Sequence, residues 1–474
     1  MKVLEFFKEI SKIPRGSGNE KAISDYLAAF AKERGLTAKQ DAALNVVIYK
    51  PGSKGREMKP PLILQSHMDM VCEKNADTAH DFLTDSIALR QEGDFLYGTG
   101  TTLGADDGLG VAISLAVLDA DDIAHPPIEA VFTVEEETTM KGIENLDSGW
   151  LTARRMINLD SDDDTSFCVG CAGGKRLDFT VPVTREPLPK DMVCKSLTVR
   201  GLLGGHSGTE IHLGKANSIR ILGRALSVLS AEIDIRIINI SGGLKANAIP
   251  READASIALS VSEMSKAEQI LFDLQQILRT EYRVPDPNIT LALAPLITDD
   301  DTCFMPSCAQ KVISAMLLIP CGVLYMSCDI PNLVETSNNA GVITTTQEGV
   351  SIDCALRSSV YSRLRFVSAQ IEALAVVMGA KAVFSHGYPG WTYNPDSPLL
   401  AVAVDEYNRL YGKKMNIEVI HAGLECGFML EKIPDMDIIS FGSKIYDIHT
   451  PNEHLSISSL KQVWEYTRAL LDRL

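Results

Sequence analysis

Apolar positions along this chain recur with two different periods, and the two alternate. Near the N-terminus Leu4, Phe7, Ile10 and Ile13 fall on one helical face, with Glu5, Lys8, Glu9 and Lys12 spaced between them. This predicts a packed amphipathic helix ending at Pro14. The stretch GSGNEKAISDYLAAFAKERG predicts a second helix, capped by Ser17 or Asn19 and stopped by Gly35. Strand-like runs follow: LNVVIYKPG (44–52), PLILQSH (61–67), PPIEAVFTVEEE (126–137) and RRMINLDSDDD (154–164), with a buried helix, GLGVAISLAVLDA, at 108–120. A nearly unbroken apolar run such as 61–67 belongs in the centre of a parallel sheet. The alternation predicts an α/β fold with a doubly wound, mainly parallel sheet.

The pattern changes at the Pro-rich, polar stretch TVPVTREPLPKD, near 180–195, which reads as a domain boundary. Beyond it a strand, a Gly-rich turn and a helix precede two strands and the long helix SKAEQILFDLQQILRTEYR. About ninety residues later the strand–strand–helix order recurs in NNAGVITTTQEGVSIDCALRSSV and YSRLRFVSAQIEALAVVMGA, which suggests an α+β domain of two similar halves. After HGYPGWTYNPDSPLL (386–400) the helix–strand alternation returns. The expected division is a catalytic domain of residues 1–190 and 386–474, interrupted by an inserted domain of residues 191–385.

Composition narrows the function classes. The net charge of −17 argues against a nucleic-acid or anionic-membrane partner, either of which needs a basic face. The charged N-terminus has no signal-peptide core, and no apolar run is long enough to span a bilayer, so a cytoplasmic location is expected. Ten cysteines are scattered without a framework, which fits reduced thiols. Cys168-Val169-Gly170-Cys171 has C-x-x-C spacing, but one such pair is read as small buried residues near a turn.

Chemistry collects where the predicted strands end: His67, Asp106, the run Glu135-Glu136-Glu137, Asp160 and His449. Taken singly each has a plainer reading, as a loop histidine, a helix cap (Asp107 above all) or a solvated acid. Together they occupy the place where open α/β sheets bind ligands. Three carboxylates, two neutral imidazoles and a bridging hydroxide would neutralise two divalent cations, and the N/O donor mix suits zinc, with cobalt or manganese as alternatives. One glutamate of the run can hold metal while its neighbour acts as general base; the residues alone leave that assignment open. Asp69 lies two positions beyond His67, placed to accept its ring N–H and fix the tautomer.

The succession H-x-D, G-A-D-D-G, V-E-E-E, N-L-D-S and H-T-P-N-E resembles the zinc aminopeptidase and carboxypeptidase clan that includes aminoacylases and dipeptidases. The longer strings GTTLGADDGLG, VGCAGGKR, GLLGGHSGTEIHLGKAN, KANAIPREA, YPGW and HAGLECG resemble the aminoacyl-histidine (Xaa-His) dipeptidase family, along essentially the full chain. The resemblance implies two zinc ions per subunit. His67 and Asp160 would hold one ion, Glu137 and His449 the other, and Asp106 would bridge them, with a cis bond to Asp107. It implies Glu136 as the base, Asp69 as the partner that orients His67, and Glu135 as non-catalytic. It further implies an inserted lid in which His206 stabilises the oxyanion and Asn247, Arg357 and the loop at Gly423 bind substrate, Arg357 through the terminal carboxylate. A homodimer through the lid is also expected. Thr139, Thr450 and Asn452 depart from the family's commoner Gly, Ser and Asp, which bears on specificity. The expected activity is hydrolysis of short peptides, Xaa-His dipeptides foremost. The alternatives are deacylation of N-acyl amino acids, or a catalytically inactive binding protein.

Overall fold

The computed structural model describes residues 1–385 and 387–474; His386, at the expected return to the catalytic domain, lies outside the described residues. The chain divides into two compact units. The first comprises Met1–Cys171, Tyr393–Val419 and Leu424–Leu474, and the second comprises Ala172–Thr392 with Ile420–Gly423.

The first unit is built on an eight-stranded sheet. Its order is Thr37–Gln40, Val46–Lys50, Ile128–Thr133, Leu62–His67, Arg155–Asn158, Asp437–Ser440, Ser166–Cys171 and Asn416–Ile420. The four strands from Ile128–Thr133 to Asp437–Ser440 run parallel, and antiparallel neighbours flank them. Every residue of Leu62–His67 and of Ile128–Thr133 is buried, so both faces of the sheet centre are covered. The helix Ala105–Asp119 packs on Leu62–His67 and against the N-terminal helix Lys2–Ile10. Its thirteen buried positions explain the absence of a polar face in GLGVAISLAVL. Among the described residues no helix is long and apolar enough to cross a membrane.

The second unit holds a nine-stranded sheet whose pairings are antiparallel. Two βαββαβ halves share it. One half contributes Met192–Arg200, the helix Ser218–Glu232, Arg236–Gly242, Ala253–Ser260, the helix Met264–Glu281 and Thr290–Pro295. The other contributes Gly173–Pro182, the helix Pro306–Leu318, Val334–Thr345, Gly349–Ser358, the helix Tyr361–Met378 and Lys381–Phe384. In both the last strand is outermost, then the first, then the third, and the second strands meet at Ser241↔Thr344. The expected boundary at 190 therefore falls inside this unit. Gly173–Pro182 pairs along its whole length with Gly349–Ser358. The Pro-rich stretch is the link between the halves, where Arg185–Pro187 pairs with Thr302–Phe304.

Two local expectations differ from the structure. The second helix starts at Lys21 with Glu20 at the cap position and no side-chain cap; Ser17 lies upstream of that position and donates its hydroxyl to Asp69 (2.7 Å). The run Glu135–Glu137 is not extended: its strand ends at Thr133, and Glu135 turns into the left-handed region (φ 55°).

Candidate metal centre

The parallel strands deliver four of the predicted residues to one end of the first unit's sheet, and a helix and a loop supply the other two. His67 closes the strand Leu62–His67, Asp160 lies two residues beyond Arg155–Asn158, and Glu136 and Glu137 lie just beyond Ile128–Thr133. Asp106 stands at the head of the helix Ala105–Asp119 with non-helical backbone and a cis bond to Asp107. His449 comes from the loop between Ile445–Tyr446 and His454–Ser456.

Their side chains converge in two groups that share Asp106. His67 Nε2 is 3.2 Å from Asp106 Oδ1 and 3.7 Å from Asp160 Oδ1. His449 Nε2 is 3.0 Å from Glu137 Oε1 and 3.3 Å from Asp106 Oδ2. One donor atom each of His67, Asp106 and Glu137 lies within 4.8 Å of the other two. On the far side of the ring, His67 Nδ1 is 3.4 Å from Asp69 Oδ1.

Two carboxylates fix the backbone of the acid run. Asp69, wholly buried, accepts the N–H groups of Glu136 (3.1 Å) and Glu137 (3.3 Å), and Glu20 accepts that of Glu135 (3.2 Å). The Glu135 side chain takes the Thr139 hydroxyl, away from the cluster, while Glu137 faces His449. Asp107 accepts from His67 N (3.2 Å) and, in the manner of a helix cap, from Gly110 N (3.1 Å).

The electrostatics follow from crowding. Burial pushes the Glu136 carboxyl up to about 8, and the charges of Glu425, Glu137 and Asp106 add to it. Burial likewise holds Asp160 and Asp107 well above the usual carboxylate range. Burial alone would lower His67, but Asp160, Asp106 and Asp69 outweigh it and hold the imidazole well above its ordinary value. Hydrogen bonds to Asp106 and Glu137 raise His449 to about 10. Two imidazoles drawn up by surrounding acids, with the acids forced together, form a donor set that fits divalent cations, and the N/O mix suits zinc, cobalt or manganese.

The second unit gathers its own group. His206 Nδ1 accepts the N–H groups of Gly208 (3.3 Å) and Thr209 (3.1 Å), which leaves Nε2 to carry the proton. Burial, then the charge of Arg357, lowers its pKa and keeps the ring neutral. Arg357, 8% exposed, donates Nη1 to the Tyr388 hydroxyl (2.7 Å). A Cβ on Gly423 would meet the Tyr388 ring at 2.7 Å, so glycine is required by that close approach. The Asn247 carbonyl accepts the Ser207 N–H (2.9 Å), and the neighbouring Ala248 pairs with His206.

Several contributors went unassigned in the sequence. Buried Arg15 donates to the carbonyls of Met68 and Asp69, both at 3.0 Å. Glu425, wholly buried, accepts from Gln65 Nε2 and Thr133 Oγ1, both at 2.6 Å, and burial raises it to about 7. His421 Nε2 lies 2.7 Å from the Ser337 hydroxyl, and burial lowers its pKa to about 4. The string HAGLECG held two of these signals, His421 and Glu425. Arg15 gave no local sign. Cys168 and Cys171 are both buried on the strand Ser166–Cys171.

A mainly parallel α/β sheet whose strand ends, with one helix head and one loop, bring two histidines and a set of acids around one shared aspartate makes a candidate metal centre, and the chain belongs to peptidase family M20/M25/M40, whose profile matches residues 63–473. Among its relatives is the cytosol non-specific dipeptidase of Escherichia coli strain K12, 37% identical over 99% of this chain and 97% of that protein. The crystal structure of aminoacylhistidine dipeptidase from Vibrio alginolyticus superposes with a TM-score of 0.94 at 39% identity, covering 100% of this chain and 96% of that one. Aminopeptidase PepT from Bacillus cereus ATCC 10987 shares the fold, with a TM-score of 0.57 at 16% identity over 99% of this chain and 97% of that one.

Proposed function

We propose that this peptidase is a cytoplasmic dipeptidase that cleaves Xaa-His and related dipeptides at a dinuclear zinc centre. The observation that carries the metal assignment is the shared Asp106, one oxygen toward His67 and the other toward His449. The dipeptidase assignment is supported by two relatives, named cytosol non-specific dipeptidase and aminoacylhistidine dipeptidase, that match essentially the whole chain.

In this reading His67 and Asp160 would hold one ion, Glu137 and His449 the other, and Asp106 would contribute to both. Ions held there would supply Lewis-acid polarisation of the scissile carbonyl and a lowered pKa for a bound water. Glu136 takes the proton of the attacking water and delivers it to the leaving amine. Burial raises this carboxyl in the metal-free protein, and cations bound beside it would draw it back toward the range of a base that can also return the proton. Asp69 keeps His67 in the tautomer that presents Nε2 to the metal. The neutral His206, with its proton on Nε2, is a donor for the oxyanion. Arg357 pairs with the substrate's terminal carboxylate, and Asn247 and the loop at Gly423 complete recognition.

The test is a comparison of kcat/KM on carnosine-like, Gly-Gly-like and N-acetylated substrates before and after chelation. Dipeptides with a free amine should be cleaved fastest, and chelation should abolish turnover until zinc is restored. Preferred cleavage of N-acetyl amino acids would replace this reading with a deacylase.

A further inference from the structure

One carboxylate stands between the turn that carries Asp106 and the loop that carries His449. Glu453 is 2% exposed. Its Oε2 accepts the N–H groups of Leu103 (2.8 Å) and Gly104 (3.0 Å), and its Oε1 accepts those of Ala105 (2.7 Å) and Asp106 (3.5 Å). Four successive main-chain N–H groups converging on one point make a cradle for an anion, and here the anion is part of the chain. Arg15 grips the same turn through the Gly104 carbonyl and ties it to Met68 and Asp69.

The other end of Glu453 belongs to the His449 loop. His449 and Asp447 both have left-handed backbone, φ 63° and 50°. Such values in residues other than glycine persist only where the surroundings impose them. Within the loop, Thr450 Oγ1 donates to the Asp447 carbonyl (2.7 Å), and Glu453 N donates to the Thr450 carbonyl (3.0 Å). The His454 ring is stacked between Tyr97 and Tyr446, at 4.8 Å from each. Glu453 then joins this braced loop to the Asp106 turn. Across that joint His449 Nε2 lies 3.3 Å from Asp106 Oδ2.

We infer that Glu453 is a positioning residue of the metal centre: it aims Asp106 and His449 at a common ion by clamping the turn of one to the loop of the other. This rests on the reading of those residues as metal ligands. The ion held by His449, Glu137 and Asp106 is the one whose binding the clamp controls.

The test is zinc titration of the metal-free full-length protein by chelator competition, with kinetics at saturating zinc, for wild type and Glu453→Gln. Glutamine keeps the shape but turns an N–H₂ toward two of the four N–H groups. The second zinc should bind about ten-fold or more weakly and kcat should fall by a similar factor, while KM moves less than about two-fold and the circular dichroism spectrum is unchanged. Glu453→Asp, which keeps the charge one carbon short, should recover part of the affinity. Wild-type affinity for both ions together with wild-type kcat in Glu453→Gln overturns the inference. Failure to recover either variant folded overturns it too, since the role would then be one of folding rather than of aim. Wild-type protein that takes up no zinc overturns the metal-centre reading itself, and the inference with it.

Discussion

Asp69 serves four partners at once. It lies beside His67 Nδ1, accepts the Ser17 hydroxyl, and holds the main-chain N–H groups of Glu136 and Glu137. Replacing it with asparagine turns an acceptor into a donor among donors, so Asp69→Asn should lower metal affinity or activity by about 10–100-fold, read by zinc titration and kcat. Glu136 makes a sharper case. Glu136→Gln should lower kcat/KM by about 10²–10⁴-fold with both ions retained; equal loss of zinc would instead assign Glu136 as a ligand. Titration supplies a third expectation. Without metal, Glu136 is raised to about 8 from 4.5 and His449 to about 10 from 6.5. A carboxyl raised on folding costs stability increasingly as pH climbs from its unfolded to its folded value. A histidine raised on folding contributes stability below its unfolded value and loses it as pH rises through the folded one. Both effects weaken the metal-free protein as pH rises, and zinc uptake must displace protons. Thermal melts of chelated and zinc-loaded protein between about pH 6 and 9 should therefore separate further with rising pH. A constant gap would show that these groups are not the ones the metal neutralises.

At the scale of elements, the apolar runs were legible because burial on both faces leaves no polar positions, as in Leu62–His67. Leu64 is wholly buried at the sheet centre. Leu64→Ala should cost about 2–5 kcal/mol, seen as a lower urea midpoint for the first unit; a change under about 1 kcal/mol would mean that the site collapses around the gap. The ends of elements were harder to read. The sequence carries no mark that Glu135 adopts a left-handed backbone, so the strand was expected to run on to Glu137. The first strand of the second unit, Gly173–Pro182, begins upstream of the Pro-rich stretch that looked like the boundary and runs into it, and its partners begin at Gly349, far along the chain. The halves' echo was visible only as strand–strand–helix, because the first half is inserted between the leading strand and leading helix of the second.

At the scale of the whole molecule, Asp106 heads a helix and His449 sits in a loop rather than at a sheet strand's end, yet the proposed ligands were legible as types, since a histidine or acid beside an apolar run is unusual. Their supports were not: Arg15, Glu425 and Glu453 act on residues tens to hundreds of positions away. The substrate-recognition assignment also makes a prediction at this scale. Arg357→Ala should raise KM for dipeptides with a free carboxylate by about ten-fold or more, and should change KM little for the corresponding amides, because a charge-assisted bidentate contact is lost only with the former. Equal effects on both would move Arg357 out of carboxylate recognition. The central claim is that Asp106 bridges two ions, and anomalous diffraction from zinc-loaded crystals tests it most directly. The account predicts two peaks roughly 3.5–4 Å apart, one against His67 and Asp160, the other against Glu137 and His449, with Asp106 touching both. A single peak, or peaks that leave Asp106 unligated, would contradict it.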